Sequence, residues 1–280
     1  MFLLVGPSAS NYEKVTQTLQ QIAQQNPGTT KLMTIGVSDQ GVPIQGLQIG
    51  SGAENTLVVG THHGNEYGST AVALGMADSL AKNPIAGQTV YVIPVLNITG
   101  YNRNDRYESN LTSTFDANRD YTGPCKSGPT FNLKSTKALA DFIAEKNIVV
   151  SATLHTYWPA VVYPWGISTG DLSTPYDDQY KLLVKAATEE SQYQTGNNTA
   201  VLYPADGTFE DYAFWKHGIW SLLFELGFSH TPDDTAMKNM VDVNVPGLRR
   251  FLEQAPKTRA TDHQFAGKCD VRILQRMWLE

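Results

Sequence analysis

Residues 60–69 read GTHHGNEYGS, and within them His63 and Glu66 stand three apart, directly after the apolar run NTLVV. A turn of that length can aim an imidazole nitrogen and a carboxylate at one point. Four residues alone are more simply read as a histidine and a glutamate that hydrogen-bond each other in a turn. A third ligand would separate the two readings. His155 closes the apolar run VVSATL. With His63 and Glu66 it makes a His, Glu, His set that leaves the fourth position of a tetrahedral zinc open, as catalytic sites do. By itself His155 reads as readily as a satisfied core histidine at a strand end. His62 competes with His63 as a ligand, but only His63 stands three residues before a carboxylate.

Two further groups carry chemistry. Glu225 lies in SLLFELG between Phe224 and Leu226, and burying it ionised and unpaired would cost several kcal/mol. Either a cation lies beside it, or its pKa rises toward that of a general base, or it sits on the exposed face of an edge strand. FDANRDYTGP offers Asn118 and Arg119. A guanidinium fork with a neutral amide donor suits a substrate carboxylate, and a surface-loop arginine is the plainer alternative.

The elements that must position these residues follow from periodicity. NYEKVTQTLQQIAQQ places Val15, Leu19 and Ile22 at helical spacing, and KLMTIGVS and VPIQGLQIG flank the turn DQG as a hairpin. Buried strands are expected at NTLVVG, TVYVIPVLN, IVVSATLH and IWSLLFELG. Helices are expected at STAVALGMADSLAKNP, LKSTKALADFIAEKN, YKLLVKAATEESQY and VPGLRRFLEQA. This alternation predicts one α/β domain over 1–280 with a mixed, mostly parallel sheet flanked by helices. The polar segments 98–132 and 158–176 exceed ordinary loop length and read as functional loops. In open sheets of this kind ligands bind beyond the carboxyl ends of strands, where His63, Glu66, His155 and Glu225 all stand.

Composition narrows the partners. With 280 residues, 41% hydrophobic and 17% charged, the chain can bury a sizeable core. A formal charge of −6 argues against nucleic acid, which needs a concentrated basic face. No membrane span is expected, because no run approaches about 18 apolar residues. The start MFLLVGPSAS is too short for an intact signal peptide and lacks its basic start. The expectation is a soluble chain, cytoplasmic, or secreted or periplasmic if a signal was removed. Cys125 and Cys269 are either one disulfide or two buried thiols.

Taken in order, these segments resemble the zinc metallocarboxypeptidases of the carboxypeptidase A/B type. HGNE is similar to the family's HxxE, NITGY to its Asn-Pro-Asp-Gly-aromatic segment, and DANRDY to its Asp-x-Asn-Arg-Asn-aromatic segment. LHTYWPAVVYPWG resembles the segment of its third ligand, YPADGTFEDYAF its tyrosine-bearing specificity loop, and FELG the strand of its catalytic glutamate. NITG lacks the family's Pro-Asp, and Asn65 replaces an arginine of the digestive branch, so the resemblance is closer to the bacterial and regulatory branches. It implies a sheet of about eight strands and one Zn2+ held by His63, Glu66 and His155. It also implies Glu225 as general base, Asn118 and Arg119 on the substrate's terminal carboxylate, and Tyr203 and Tyr157 against the substrate. Arg103 or Arg106, with Arg106 favoured, would stabilise the oxyanion. Glu210, in the specificity loop, would favour a cationic terminal residue. The activity implied is hydrolysis of the C-terminal amide of peptides. Alternatives are a murein-peptide amidase or carboxypeptidase acting at diaminopimelate, and an inactive carboxylate-binding pseudoenzyme.

Overall fold

A computed structural model describes residues 10–168 and 173–269; the opening MFLLVGPSA and four residues of the 158–176 segment lie outside the described residues. In chain order the elements are α1 (Asn11–Gln25), β1 (Thr30–Val37), β2 (Pro43–Gly50), β3 (Glu54–Gly60), α2 (Tyr67–Lys82), β4 (Gln88–Ile93), α3 (Ile98–Arg103), β5 (Glu108–Ser109) and β6 (Thr114–Phe115). There follow α4 (Lys134–Glu145), β7 (Val150–His155), β8 (Ala160–Tyr163), α5 (Asp177–Ala187), β9 (Gln194–Asn197), α6 (Asn198–Val201), α7 (Phe209–His217), β10 (Trp220–Glu225) and α8 (Asp234–Gln254). Local signals explain several of them. Ser10 and Glu13 close a capping box on α1, whose Val15, Leu19 and Ile22 are buried.

Eight strands form one sheet in the order β1-β2-β4-β3-β7-β10-β8-β9. The central four, β4-β3-β7-β10, are parallel, while β1, β2 and β8 join antiparallel to their inner neighbours. Every residue of β4 and β7 is buried, as covered parallel strands require. Helix α8 packs on α2 and α5, and α7 packs on β7 and β10. No helix among the described residues is long and apolar enough to cross a membrane. Register then sets the site: Gly60 is opposite Leu154, and Glu225 is opposite His155. Strands β3, β7 and β10 therefore end at one level.

The structure differs from the sequence pattern in definite places. Helix α8 begins at Asp234, capped by Asp233, and runs through Pro246, whereas that proline reads as the first residue of a new helix. Helix α7 is buried on almost all sides, so it shows no apolar stripe. The 98–132 segment contains α3 and the β5–β6 pair, and β8 lies inside the 158–176 segment. Cys125 and Cys269 are disulfide-bonded, which ties the loop after Arg119 to the end of the described chain.

Between β5 and α4, Glu108 is fully buried and accepts a hydrogen bond from Ser135 Oγ, while its Oε1 has no partner. Burial pushes its carboxyl up to about 8, against the Ser135 hydrogen bond and with Asp39 and Asp120 adding to the rise. An unfolded glutamate ionises near about 4.3. Stability from the protonated group is thus full below that pH and is lost as pH rises to about 8. Glu108→Gln should raise stability relative to the parent by on the order of 1–4 kcal/mol above that window and least at acid pH. The Tm difference between the two proteins, measured from pH 4 to 9, should widen and then level; a constant difference would exclude Glu108 as the group.

Candidate metal centre

The turn after β3 is held before it reaches His63. Thr61 adopts φ +60°, and its hydroxyl bonds the Ser69 and Thr70 hydroxyls and the Pro94 carbonyl. Gly64 is required by close approach: a Cβ there would lie 2.1 Å from the Gly100 carbonyl carbon and 2.5 Å from the Asp105 carbonyl oxygen. The turn delivers His63 and Glu66 to the end of the sheet, where β7 delivers His155.

These three residues form a closed set. His63 Nδ1 is 2.8 Å from Glu66 Oε1, His155 Nδ1 is 3.0 Å from Glu66 Oε2, and the two Nδ1 atoms are 3.1 Å apart. All three are at least 95% buried. Glu66 Oε2 is near His155 but not aligned for a hydrogen bond. The two Nδ1 atoms are within hydrogen-bond distance of each other, and both face the Glu66 carboxylate. Ligand atoms about 2.0–2.1 Å from a tetrahedral zinc stand roughly 3.3 Å apart, so the donor set and its spacing fit that ion. Among the described residues this is the one group of three acidic or imidazole side chains spaced for a metal.

Electrostatics agree with the spacing. Burial pushes the Glu66 carboxyl up, but His63 and His155 outweigh it and hold the group well below the usual carboxylate range. Glu225, opposite His155, moves the other way: burial and then the Glu66 charge push it well above that range. One of its oxygens is buried without a hydrogen-bond partner. A proton acceptor of raised affinity thus stands beside the candidate metal position.

The other expected residues separate clearly. Asn118 is buried; its Oδ1 accepts the Phe209 N–H at 2.9 Å, and its Nδ2 lies 3.4 Å from His155 Nε2. Arg119 donates to the Asn118 carbonyl at 2.6 Å and to the Tyr203 hydroxyl at 3.1 Å, and stands over the Tyr203 ring. Of the two candidate oxyanion arginines, Arg106 reaches the site and donates Nε and Nη2 to Asp116 at 3.2 and 2.8 Å. Arg103 does not join it: it is exposed at the end of α3 and leans toward Ser109. Glu210, in the first turn of α7, is buried with no hydrogen-bond partner for either oxygen among the described residues, whereas the adjacent Asp211 is engaged by the Gly166 N–H. Tyr157 is half exposed, and its ring packs edge-on against His230.

Sequence reasoning missed Asp116, although it stands two residues before Asn118. Its Oδ1 lies 3.0 Å from His63 Nε2 and accepts the Asn118 N–H, and its Oδ2 takes Arg106. One carboxylate thereby fixes the ring of His63 from behind and ties it to Asn118, expected on the substrate carboxylate, and to Arg106, expected on the oxyanion. His62 is also placed: its Nε2 meets the Tyr121 hydroxyl at 2.9 Å, and its ring stacks on His155. Burial, His155 and His63 push its pKa well down, so it packs as a neutral ring.

A family model described as zinc carboxypeptidase, peptidase family M14, matches residues 15–246. The chain belongs to the zinc carboxypeptidase family. Human carboxypeptidase B is 27% identical over 263 residues, which cover 78% of this chain and 62% of that protein. The match to bovine carboxypeptidase B also spans 62% of that relative's length. In fold the chain is similar to carboxypeptidase A from Helicoverpa armigera, with a TM-score of 0.77 at 19% identity over 88% of this chain and 73% of that one. It is also similar to a murein-tripeptide amidase from Escherichia coli O157, with a TM-score of 0.56 at 16% identity over 81% and 95%.

Asp116→Ala should leave the His, Glu, His set in place but free the His63 ring. Zinc affinity, measured by competition with a chromogenic chelator, is expected to fall about 10- to 100-fold. Unchanged affinity would mean that the Asp116 contact does not orient the ligand.

Proposed function

We propose that the protein is a zinc-dependent carboxypeptidase that hydrolyses the C-terminal amide bond of peptides, with one zinc ion per chain held by His63, Glu66 and His155. The observation that carries this reading is Glu225, whose unpartnered oxygen stands at the end of β10 opposite His155. A purely structural metal would give such a carboxylate nothing to do. When bound, zinc supplies Lewis acidity toward the scissile carbonyl and the attacking water. Glu225, at the end of β10 opposite His155, takes the water proton and returns it to the leaving amine. Arg106, anchored through Asp116, supplies positive charge for the carbonyl oxygen as that oxygen becomes anionic.

The restriction to chain ends rests on Arg119 and Asn118. Arg119 uses one N–H on the Asn118 carbonyl and another on Tyr203, which leaves the rest of its fork for a carboxylate. Tyr203 is half exposed beside that fork and closes over the bound terminus. Glu210 supports a preference for a cationic terminal side chain, because its buried oxygens have no partner of their own. A second reading, cleavage of murein peptides at diaminopimelate, draws on the same acid, since that residue also carries an amino group on its side chain. An inactive carboxylate-binding module would be expected to have lost a ligand or the base, and this chain keeps all four.

Dansylated peptides ending in Lys, Phe or diaminopimelate test these readings together. Free amino acid should be released, fastest from Lys or diaminopimelate, and release should stop with chelator. Glu225→Gln should lower kcat by about 10²–10⁴-fold with zinc still bound, and Glu210→Gln should narrow the preference for the cationic residue by about tenfold. No release from any of the peptides would sink the carboxypeptidase reading.

A further inference from the structure

Beside the metal centre lies a groove of about 610 Å³ lined by Tyr157, Trp158, Gln192, Gln194, Phe228 and Asn239, among others. Its walls grow from the same strands that carry the site: Tyr157 is two residues beyond His155 at the end of β7, and Phe228 is three beyond Glu225 at the end of β10. Tyr157 is braced edge-on by His230, whose Nδ1 is 3.3 Å from Thr156 Oγ1. The groove shares no residue with Asn118, Arg119, Tyr203 or Glu210. A substrate whose terminal carboxylate rests on Arg119 extends its acyl side away from that clamp, and Tyr157 brings the groove to the end of β7, where His155 stands.

The chemistry of the lining is specific. Tyr157, Trp158 and Phe228 are 47, 49 and 79% exposed, an unusual concentration of aromatic surface for an unliganded face. No lining residue is charged. Three amide side chains interleave with the rings, and those of Gln194 and Asn239 make no hydrogen bond among the described residues. Aromatic faces suit the C–H face of a pyranose ring, and free amides suit its hydroxyl or acetamido groups. A lipid would leave the amides unpaired, and an anionic polymer would find no cation.

We propose that this groove is a saccharide subsite, so that the substrate is a peptide bearing a neutral sugar on the acyl side of the scissile bond. The proposal rests on the carboxypeptidase reading for its catalytic consequence, though not for binding itself. Two measurements on the zinc-loaded enzyme test it. Titration calorimetry with the tetramer of N-acetylglucosamine should show saturable binding that weakens at least tenfold in Trp158→Ala and in Gln194→Ala. In turnover, an N-acetylmuramoyl tetrapeptide should exceed the same tetrapeptide without sugar in kcat/KM by about tenfold, and that ratio should fall to about one in Trp158→Ala.

A ratio near one in the parent enzyme, with the bare tetrapeptide turned over normally and no binding of the tetramer, overturns the saccharide subsite and leaves the carboxypeptidase reading intact. An equal gain from a bare peptide lengthened at its N-terminus, abolished by Trp158→Ala, also overturns it and assigns the groove to peptide. If no peptide is cleaved at all, the carboxypeptidase reading fails, and the Trp158-dependent calorimetry still decides the groove.

Discussion

Glu66 is a carboxylate sealed at 1% exposure, and an isolated charge so placed would cost several kcal/mol or would neutralise by taking a proton. It does neither, because imidazole nitrogens stand 2.8 and 3.0 Å from its two oxygens. The rest of the site depends on that arrangement. The Glu66 charge raises the proton affinity of Glu225, and its spacing with the two Nδ1 atoms defines where a cation fits. The sheet serves the same end, since parallel β3, β7 and β10 in register finish at one level and present these groups together.

Behind this cluster, Asp116 works as a tether. It holds His63 Nε2, Arg106 and the Asn118 N–H at once, so the candidate metal ligand, the candidate oxyanion cation and the candidate carboxylate clamp cannot shift independently. Burial pushes the Asp116 carboxyl up, but His63, Arg119 and Arg106 outweigh it and hold it well below the ordinary range. Its ionised form is the one that accepts all three contacts. On the far side His62 and Tyr121 back the ring of His155, which leaves both imidazoles packed from behind and open toward each other.

Much of this was legible in the chain. His63, Glu66, His155 and Glu225 each follow or close an apolar run, and strand ends in a parallel sheet converge for topological reasons that periodicity exposes. What was not legible has physical causes. Asp116 stands in the quoted loop, but its partners are 53 residues upstream and 10 residues upstream, a pairing that spacing does not encode. Arg103 and Arg106 differ by less than one helical turn, and only the end of α3 and the turn after it decide which faces inward. Helix α7 escaped because it is buried on nearly every side, and the start of α8 because Pro246 reads as a beginning. The pairing of Cys125 with Cys269 spans 144 residues and needed the folded chain.

In the proposed site His63 Nδ1, His155 Nδ1 and a Glu66 oxygen surround one cation. Anomalous diffraction at the zinc edge from crystals of the zinc-loaded protein measures this directly. A single strong peak is expected about 2.0–2.2 Å from each of those three atoms, with a side of the ion left open toward Glu225. A peak bonded through Nε2 of either histidine, a peak elsewhere on the chain, or no peak at full zinc loading would contradict it.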